Sequence, residues 1–201
     1  MAKRAFDLAV AALLLLLLSP LMAAIAAWIK LDSPGPVFFR QTRVGRHGVP
    51  FRIHKFRTMG MDAAQRGGAL TVGGDPRITR AGAWLRPRRL DELPQLIDVL
   101  QGTMSLVGPR PEVPEYVAHY PEALRARALA TRPGITSPGA LEFLDEAEQL
   151  ASAADPEREY IELILPRKVQ LAADYADQAG LRGDLAVLWA TLRRLLQGAR
   201  A

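Results

Sequence analysis

An uncharged hydrophobic run from Leu8 to Ile29 constrains this chain more than any other feature. Its 22 residues are enough to cross a bilayer as a helix, so a simple transmembrane helix is one interpretation. Basic residues flank the run on both sides, however, with Lys3 and Arg4 before it and Lys30 after it. Because basic residues favour the cytoplasmic side of a membrane, both ends of the run are expected there.

Ser19 and Pro20 lie near the centre of this run. A proline inside a helix removes one backbone hydrogen bond, and a serine hydroxyl can bind the carbonyl that is left free. We therefore predict a re-entrant membrane anchor over residues 1–31, in which helix, break and helix enter and leave by the same face. A cleaved signal peptide is a third interpretation, since Lys3 and Arg4 precede the leucines of Leu13–Leu18 and small residues occur near Ala23–Ala27. Residues 32–201 are expected to form one cytoplasmic catalytic domain.

The charge of the chain is distributed unevenly and bears on its partners. Residues 40–110 contain 13 Lys and Arg against 5 Asp and Glu, whereas residues 111–201 contain 10 against 14. A basic segment beside a hydrophobic one predicts an anionic partner, such as membrane lipids or a phosphorylated substrate. No motif for nucleic-acid binding occurs, so nucleic acid is not an expected partner. The absence of cysteine excludes disulfides and cysteine nucleophiles.

The secondary-structure signals predict a mixed α/β fold with a small hairpin or sheet. Val37–Val44 and Phe51–Thr58 are rich in aromatic and β-branched residues, and the loop between them suits a hairpin. From Asp91 to Gln101, apolar residues recur at helical spacing, and Gly102 is the expected end of that helix.

Helices are also predicted over residues 157–177, with an interruption at Pro166, and over residues 184–197. The second of these is amphipathic, and two interpretations are open for it. Such a helix packs on the core of the domain or lies on the membrane surface.

Asp91 and Glu92 form an adjacent carboxylate pair at the predicted start of a helix. Most such pairs are solvated helix starts, but Arg86 precedes this one and Arg110 follows it between two prolines. A carboxylate surrounded by arginines is expected to keep a low pKa and to stay ionised. It can then act as a nucleophile or hold a divalent metal, while the guanidinium groups bind phosphate. On these residues alone, phosphoryl transfer and a surface salt-bridge network are both open.

A series of ordered motifs makes the chain similar to a known family. They are Ser19–Pro20, Ser33–Gln41, Lys55–Met59, Asp75–Arg80, Leu90–Leu96 and Met104–Pro111. Over residues 3–136 the chain resembles the monotopic polyprenyl-phosphate phosphoglycosyl transferases, which are bacterial sugar transferases. The resemblance weakens after Thr136, and a basic residue that many relatives have near Leu144 is absent.

The resemblance implies an activity and a mechanism. A UDP-sugar would give its sugar-1-phosphate to undecaprenyl phosphate and release UMP, as the first membrane step of O-antigen, capsule, exopolysaccharide or glycoprotein glycan synthesis. Asp91 would be the nucleophile that forms a covalent phosphosugar–aspartate, and Glu92 would assist proton transfer. Mg²⁺ would be bound at Asp91.

The resemblance also implies binding residues and a location. Arg86 and Arg110 match arginines that bind phosphate, and Lys55, Arg57 and Arg77 lie in matched motifs expected to contact the substrate. The expected location is the cytoplasmic face of the bacterial inner membrane. Neither the sugar nor the oligomeric state is predicted, and a homodimer is left open.

Overall fold

The computed structural model describes residues 2–68, 70–143 and 146–198. Its α-helices and strands, with three other helical segments, form a mixed α/β fold that confirms the predicted class. In chain order they are α1 (Ala2–Asp32), β1 (Phe38–Val44), a short 3₁₀ segment in the hairpin loop (Arg46–Gly48), β2 (Pro50–Phe56), α2 (Ala63–Arg66), α3 (Arg80–Leu85), a 3₁₀ turn (Leu90–Glu92), α4 (Gln95–Gln101), β3 (Ser105–Val107), α5 (Pro114–Val117), α6 (Glu122–Ala128), β4 (Gly134–Thr136), α7 (Pro138–Glu142), α8 (Glu146–Ala151), α9 (Pro156–Glu159), a π-helical turn (Tyr160–Ile164), α10 (Leu165–Gln178) and α11 (Leu181–Gly198).

The apolar run lies in α1, a single helix of 31 residues that continues through Pro20. The predicted division into helix, break and helix is thus corrected to one continuous helix. Pro20 has no N–H to donate to the carbonyl of Leu16, and the Ser19 hydroxyl donates to that oxygen instead, at 2.8 Å. The hydroxyl was expected to satisfy the free carbonyl, and here it does so within an unbroken helix. By length and composition α1 could cross a membrane.

Both ends of α1 lie against the rest of the protein. Near its start, the Lys3 ammonium pairs with Asp184. At its end, an Asp32 carboxylate oxygen accepts a hydrogen bond from the backbone N–H of Ala81, at 3.0 Å. Between these attachments the helix presents apolar side chains outwards, and Leu16 is 73% exposed. The two ends of the helix are therefore held on one domain.

The predicted hairpin is confirmed to within two residues at each end. β1 and β2 pair antiparallel from Phe38 opposite Phe56 to Val44 opposite Pro50. His47 in the connecting turn has a left-handed backbone, with φ of 58°. A second sheet is formed by β3 and β4, which pair in parallel.

Three clusters of buried apolar residues hold these elements together. The first half of α1 packs with α4 and β3, and its second half packs with α3 and the end of β2. The third cluster joins α5 and α6 to α8, the π-helical turn and α10. The C-terminal helix α11 joins the same cluster as the first half of α1 through Val187 and Leu188, whereas α10 contributes mainly to the third cluster.

The C-terminal helices differ in detail from their predictions. Pro166 does not end the helical run over residues 156–178; it is the second residue of α10, which follows the π-helical turn directly. The change in winding precedes it, at the π-helical turn. In α11, Val187 and Leu188 pack against the core while Trp189 is 68% exposed. The packed alternative is confirmed for one face, and the membrane-surface alternative stays a prediction for the other.

Candidate active site

A single cleft of about 1700 Å³ brings the predicted site residues together. It lies between the hairpin, the 3₁₀ turn and α10. The predicted residues that line it are Lys55, Arg57, Arg77, Arg86, Asp91, Glu92 and Arg110. The segment after Thr136, in which the family resemblance weakens, also lines the cleft from Ser137 to Ala140 and at Phe143, whereas Leu144 is outside the described residues.

The carboxylate pair lies in the 3₁₀ turn and not in the first turn of a regular helix. α4 begins only at Gln95, so the predicted helix start at Asp91 is corrected by four residues. Arg89, just before the turn, has a left-handed backbone with φ of 53°, which is uncommon for a residue other than glycine. This reversal directs the chain into the turn that places both Asp91 and Glu92 in the cleft.

Glu92 is buried and pairs with three cations, of which Arg89 is the most distant, with a guanidinium nitrogen 3.9 Å from Oε2. Its Oε1 atom lies 2.8 Å from the Lys55 ammonium and 3.1 Å from a guanidinium nitrogen of Arg110. Burial alone would raise the pKa of Glu92, but the charges of Lys55 and then Arg110 outweigh it. The pKa therefore lies far below its usual value, and Glu92 is ionised at neutral pH. We call Lys55, Glu92 and Arg110 the dyad network.

Asp91 is as buried as Glu92, but in the described part of the chain its carboxylate accepts no hydrogen bond. Burial is the largest effect and raises the pKa of Asp91, and it outweighs the opposing charge of Lys55. The neighbouring charge of Glu92 raises this pKa further. The expectation of a low pKa at Asp91 was therefore wrong, because Lys55 and Arg110 contact Glu92 instead. When ionised, the Asp91 carboxylate is available to a substrate or to a metal ion.

Arg86 lies above this turn at the end of α3. Its NH1 group is 3.4 Å from the Thr58 hydroxyl. α3 lies so close to this strand end that a Cβ on Gly82 would stand 2.1 Å from the Thr58 carbonyl oxygen. Only glycine permits this approach, and it brings the Arg86 guanidinium to the edge of the cleft.

Arg57 and Arg77 have contacts that the sequence did not reveal. The guanidinium of Arg57 donates to the carbonyls of Ser33, Pro34 and Pro36 at 2.6–2.9 Å. The guanidinium of Arg77 binds the Asp75 carboxylate and the carbonyls of neighbouring loop residues. Both arginines therefore fasten loops at the rim of the cleft, and a substrate contact for either stays a prediction.

A second ionic network, also missed by the sequence analysis, lines another part of the cleft. Glu112 accepts a hydrogen bond from the Tyr160 hydroxyl at 2.8 Å and lies 3.8 Å from an Arg43 nitrogen. The Lys168 ammonium lies 4.0 Å from Glu112 and 2.5 Å from Glu146. We call these five residues the inner ion network. Their separation in the chain leaves no local sequence signal.

The oxygen ligands that Asp91 and Glu92 offer can be compared with the ligands that Mg²⁺ prefers. Among residues 2–68, 70–143 and 146–198, no group of three His, Asp or Glu side chains is placed to hold a metal. Mg²⁺ is commonly bound by one or two carboxylates together with substrate phosphates. Asp91, which accepts no hydrogen bond from the described residues, fits that role, whereas Glu92 is already paired with cations. The site therefore fits Mg²⁺ together with a diphosphate substrate.

Comparison with known proteins identifies the family. The family model described as bacterial sugar transferase matches residues 1–198. The chain therefore belongs to the bacterial sugar transferases.

Several relatives carry descriptions of their activity. A UDP-N-acetylgalactosamine-undecaprenyl-phosphate N-acetylgalactosaminephosphotransferase of Aeromonas hydrophila is 37% identical over 98% of this chain and 44% of its own length. UDP-glucose:undecaprenyl-phosphate glucose-1-phosphate transferases of Escherichia coli and Caulobacter vibrioides are 46% and 40% identical. These matches cover 67% and 96% of this chain, and 29% and 69% of the relatives. The chain thus spans less than half of the first two.

Proposed function

We propose that this chain transfers a sugar-1-phosphate from a UDP-sugar to undecaprenyl phosphate and releases UMP. The observation that carries the proposal is the buried Asp91 carboxylate, which accepts no hydrogen bond from the described residues in a cleft lined by Lys55, Arg86 and Arg110. A cationic cleft binds a diphosphate, and a carboxylate without donors is available to attack it. The relatives that are named for this reaction support the same assignment of activity.

In the first half-reaction the diphosphate lies against Arg86 and Arg110. A carboxylate oxygen of Asp91 attacks the phosphorus that carries the sugar, and the bond from this phosphorus to the oxygen of UMP breaks. UMP leaves with the electron pair, and the sugar phosphate is joined to Asp91. Magnesium, when bound, would neutralise diphosphate charge at Asp91.

In the second half-reaction an oxygen of the lipid phosphate attacks the same phosphorus. The bond to the Asp91 carboxylate breaks, so Asp91 is restored and an undecaprenyl-diphosphate sugar is formed. Glu92 holds Lys55 and Arg110 in place for both steps. A carboxylate with so low a pKa is a weak base, and for this reason we assign Glu92 this positioning role ahead of the proton transfer expected from the family.

We further propose that α1, bent at Pro20 instead of broken there, enters and leaves the membrane by the same face, and that the domain lies on the cytoplasmic face of the inner membrane. The attachment of both helix ends to one domain supports this, because a helix crossing the bilayer would separate its ends. The absence of cysteine permits a clean test with Ala2→Cys and His47→Cys variants. Both cysteines should react only with a reagent supplied from the cytoplasmic side. Labelling of Ala2→Cys from the periplasm would instead show a span.

The enzymatic test is UMP release from a panel of UDP-sugars in the presence of undecaprenyl phosphate and Mg²⁺. Glucose and N-acetylgalactosamine are the first sugars to test, because both occur in the names of the relatives. Turnover should require the lipid, the metal and Asp91. Turnover by an Asp91→Asn variant would contradict the assignment of the nucleophile.

A further inference from the structure

Arg88 is held at the edge of the cleft by Trp84. Its guanidinium carbon lies 4.4 Å from the centre of a Trp84 ring, and its NH1 group donates to the Trp84 carbonyl at 3.0 Å. Stacking and one hydrogen bond fix the plane of the guanidinium and leave other N–H groups for a ligand. Arg88 lines the same cleft as Asp91.

The tryptophan that supports Arg88 connects the cleft to the apolar helix. Trp84 meets Trp28 of α1 edge-on, with ring centres 5.5 Å apart. Both tryptophans are partly exposed, and Leu31 at the end of α1 is 87% exposed. Tryptophan is enriched where a protein meets the headgroup region of a membrane. Arg88 therefore lies where the cleft opens towards the surface that α1 would bring to the lipid.

The charge of the cleft lining as a whole fits a phosphate. Arg40 and Arg52 also line the cleft, and each donates to the other's carbonyl across the hairpin, at 3.0 and 3.3 Å. Over residues 2–68, 70–143 and 146–198, neither these two arginines nor Arg88 forms a salt bridge with a carboxylate. The exposed ring of Phe39 lies in the same lining. Cations beside exposed apolar groups match a phosphate attached to a lipid chain.

We propose that Arg88 binds the phosphate of the acceptor lipid as it enters the cleft, before that phosphate reaches Asp91. This inference rests on the proposed function and adds that different arginines bind the donor and the acceptor. Arg86 and Arg110, beside the carboxylate pair, serve the donor diphosphate, whereas Arg88 serves the second substrate. Because the two substrates react in separate half-reactions, a defect in one can be measured without the other.

The test is an Arg88→Gln variant of the full chain, with Arg125→Gln as the matched control. Arg125 is an exposed arginine outside the cleft. In Arg88→Gln, labelling of Asp91 by a UDP-sugar without acceptor should proceed at the wild-type rate. The KM for undecaprenyl phosphate should rise about tenfold or more, as expected for loss of a charged hydrogen bond, while the KM for the UDP-sugar stays unchanged. Arg88→Lys should recover part of the loss, and Arg125→Gln should match the wild type.

The bilayer composition separates the two sources of lipid phosphate. In nanodiscs of zwitterionic lipid with added undecaprenyl phosphate, the Arg88→Gln defect should persist. A defect seen only with anionic phospholipids, and accompanied by weaker membrane binding, would overturn the inference and assign Arg88 to bulk headgroups. An unchanged KM for the acceptor would also overturn it. Failure of the wild type to form any adduct would instead reject the proposed function itself.

Discussion

The dyad network and the inner ion network line the same cleft but are completed differently. In the inner network Glu112 and Glu146 are balanced by Arg43 and Lys168, and Tyr160 supplies a further hydrogen bond. In the dyad region Lys55, Arg110 and, at 3.9 Å, Arg89 pair with Glu92, whereas the neighbouring Asp91 has no salt bridge among the described residues. A buried ionic group stabilises the fold only when its partners are complete. We therefore propose that the carboxylates of the inner network are structural and that Asp91 is the reactive one, although the Nε atom of Arg43 has no hydrogen-bond partner among the described residues.

The two adjacent carboxylates, Asp91 and Glu92, also differ from each other in the direction of their pKa shifts. The pKa of Asp91 is raised above its usual value, whereas that of Glu92 is lowered. An acid whose pKa rises on folding destabilises the folded protein at neutral pH, and an acid whose pKa falls stabilises it. Asp91 and Glu92 are therefore expected to differ in the sign of their effect on stability, although we propose that activity depends on both.

Replacing Asp91 by Asn should have the largest effect on activity. Without the nucleophile, turnover should fall by at least about 10⁴-fold. The free energy of unfolding should stay the same or increase, because the variant no longer buries this charge. UMP release and thermal unfolding measure the two effects, and Asp62→Asn is the control at an exposed aspartate of the loop. A marked loss of stability in Asp91→Asn would contradict the comparison.

Replacing Glu92 by Gln should have the largest effect on stability. Lys55 and Arg110 would lose their common partner, and breaking a buried ion pair costs about 3–5 kcal/mol. Activity should fall as well, since both cations lose their fixed positions. Equilibrium unfolding of Glu92→Gln beside Asp91→Asn gives a direct comparison, and equal stability of the two variants would show that the carboxylates do not differ.

Replacing Tyr160 by Phe should have a smaller effect and should act on stability alone. The change removes the hydrogen bond to the buried Glu112 carboxylate, at a cost of about 1.5–3 kcal/mol, and also the longer one that the hydroxyl accepts from Lys168 at 3.4 Å. Turnover should change by less than about threefold, because the inner ion network is taken as structural. Kinetics with each active UDP-sugar check this expectation. A large rise in the KM for the donor would show that the inner network contacts substrate.

The pH dependence of turnover should reflect Asp91 and Lys55. Asp91 must be ionised to attack, and since burial raises its pKa, activity should be lost at a higher pH on acidification than for an ordinary aspartate. Burial lowers the pKa of Lys55 despite the opposing charge of Glu92, so activity should also fall on the alkaline side as Lys55 loses its proton. In a Lys55→Arg variant, the alkaline side of the pH–activity profile should shift to higher pH, and the acidic side should stay where it is. If the alkaline side of the profile did not shift in this variant, Lys55 would be excluded as the titrating group.

The sequence predicted those parts of the fold that depend on local chemistry. The hairpin was predicted from its turn and its β-branched strands, and Gly102 ends α4 with a positive φ of 88°. The sequence did not show that α1 would be continuous. A proline indicates that one backbone hydrogen bond is lost, but it does not indicate whether the helix then breaks or continues, as it does here with the Ser19 hydroxyl donating to the Leu16 carbonyl.

The members of the site were predicted, but their pairing was not. Motifs brought Asp91, Glu92 and the cations into one region, yet they could not show that Lys55 would contact Glu92 in preference to Asp91. Packing between β2 and the 3₁₀ turn determines which carboxylate Lys55 contacts. Lys55 and Glu92 are 37 residues apart in the chain, so no local pattern shows their contact. The inner ion network joins still more distant segments, so long-range packing alone assembles it.

The most direct test of Asp91 as nucleophile is mass spectrometry of the enzyme after incubation with a UDP-sugar and Mg²⁺, without the lipid acceptor. The reaction is quenched in acid and digested with pepsin at low pH. The peptide that contains Asp91 should gain the mass of the sugar phosphate, the modification should map to Asp91, and undecaprenyl phosphate added before the quench should remove it. Release of UMP on adding acceptor with no adduct at any time, or an adduct on Glu92, would contradict the account.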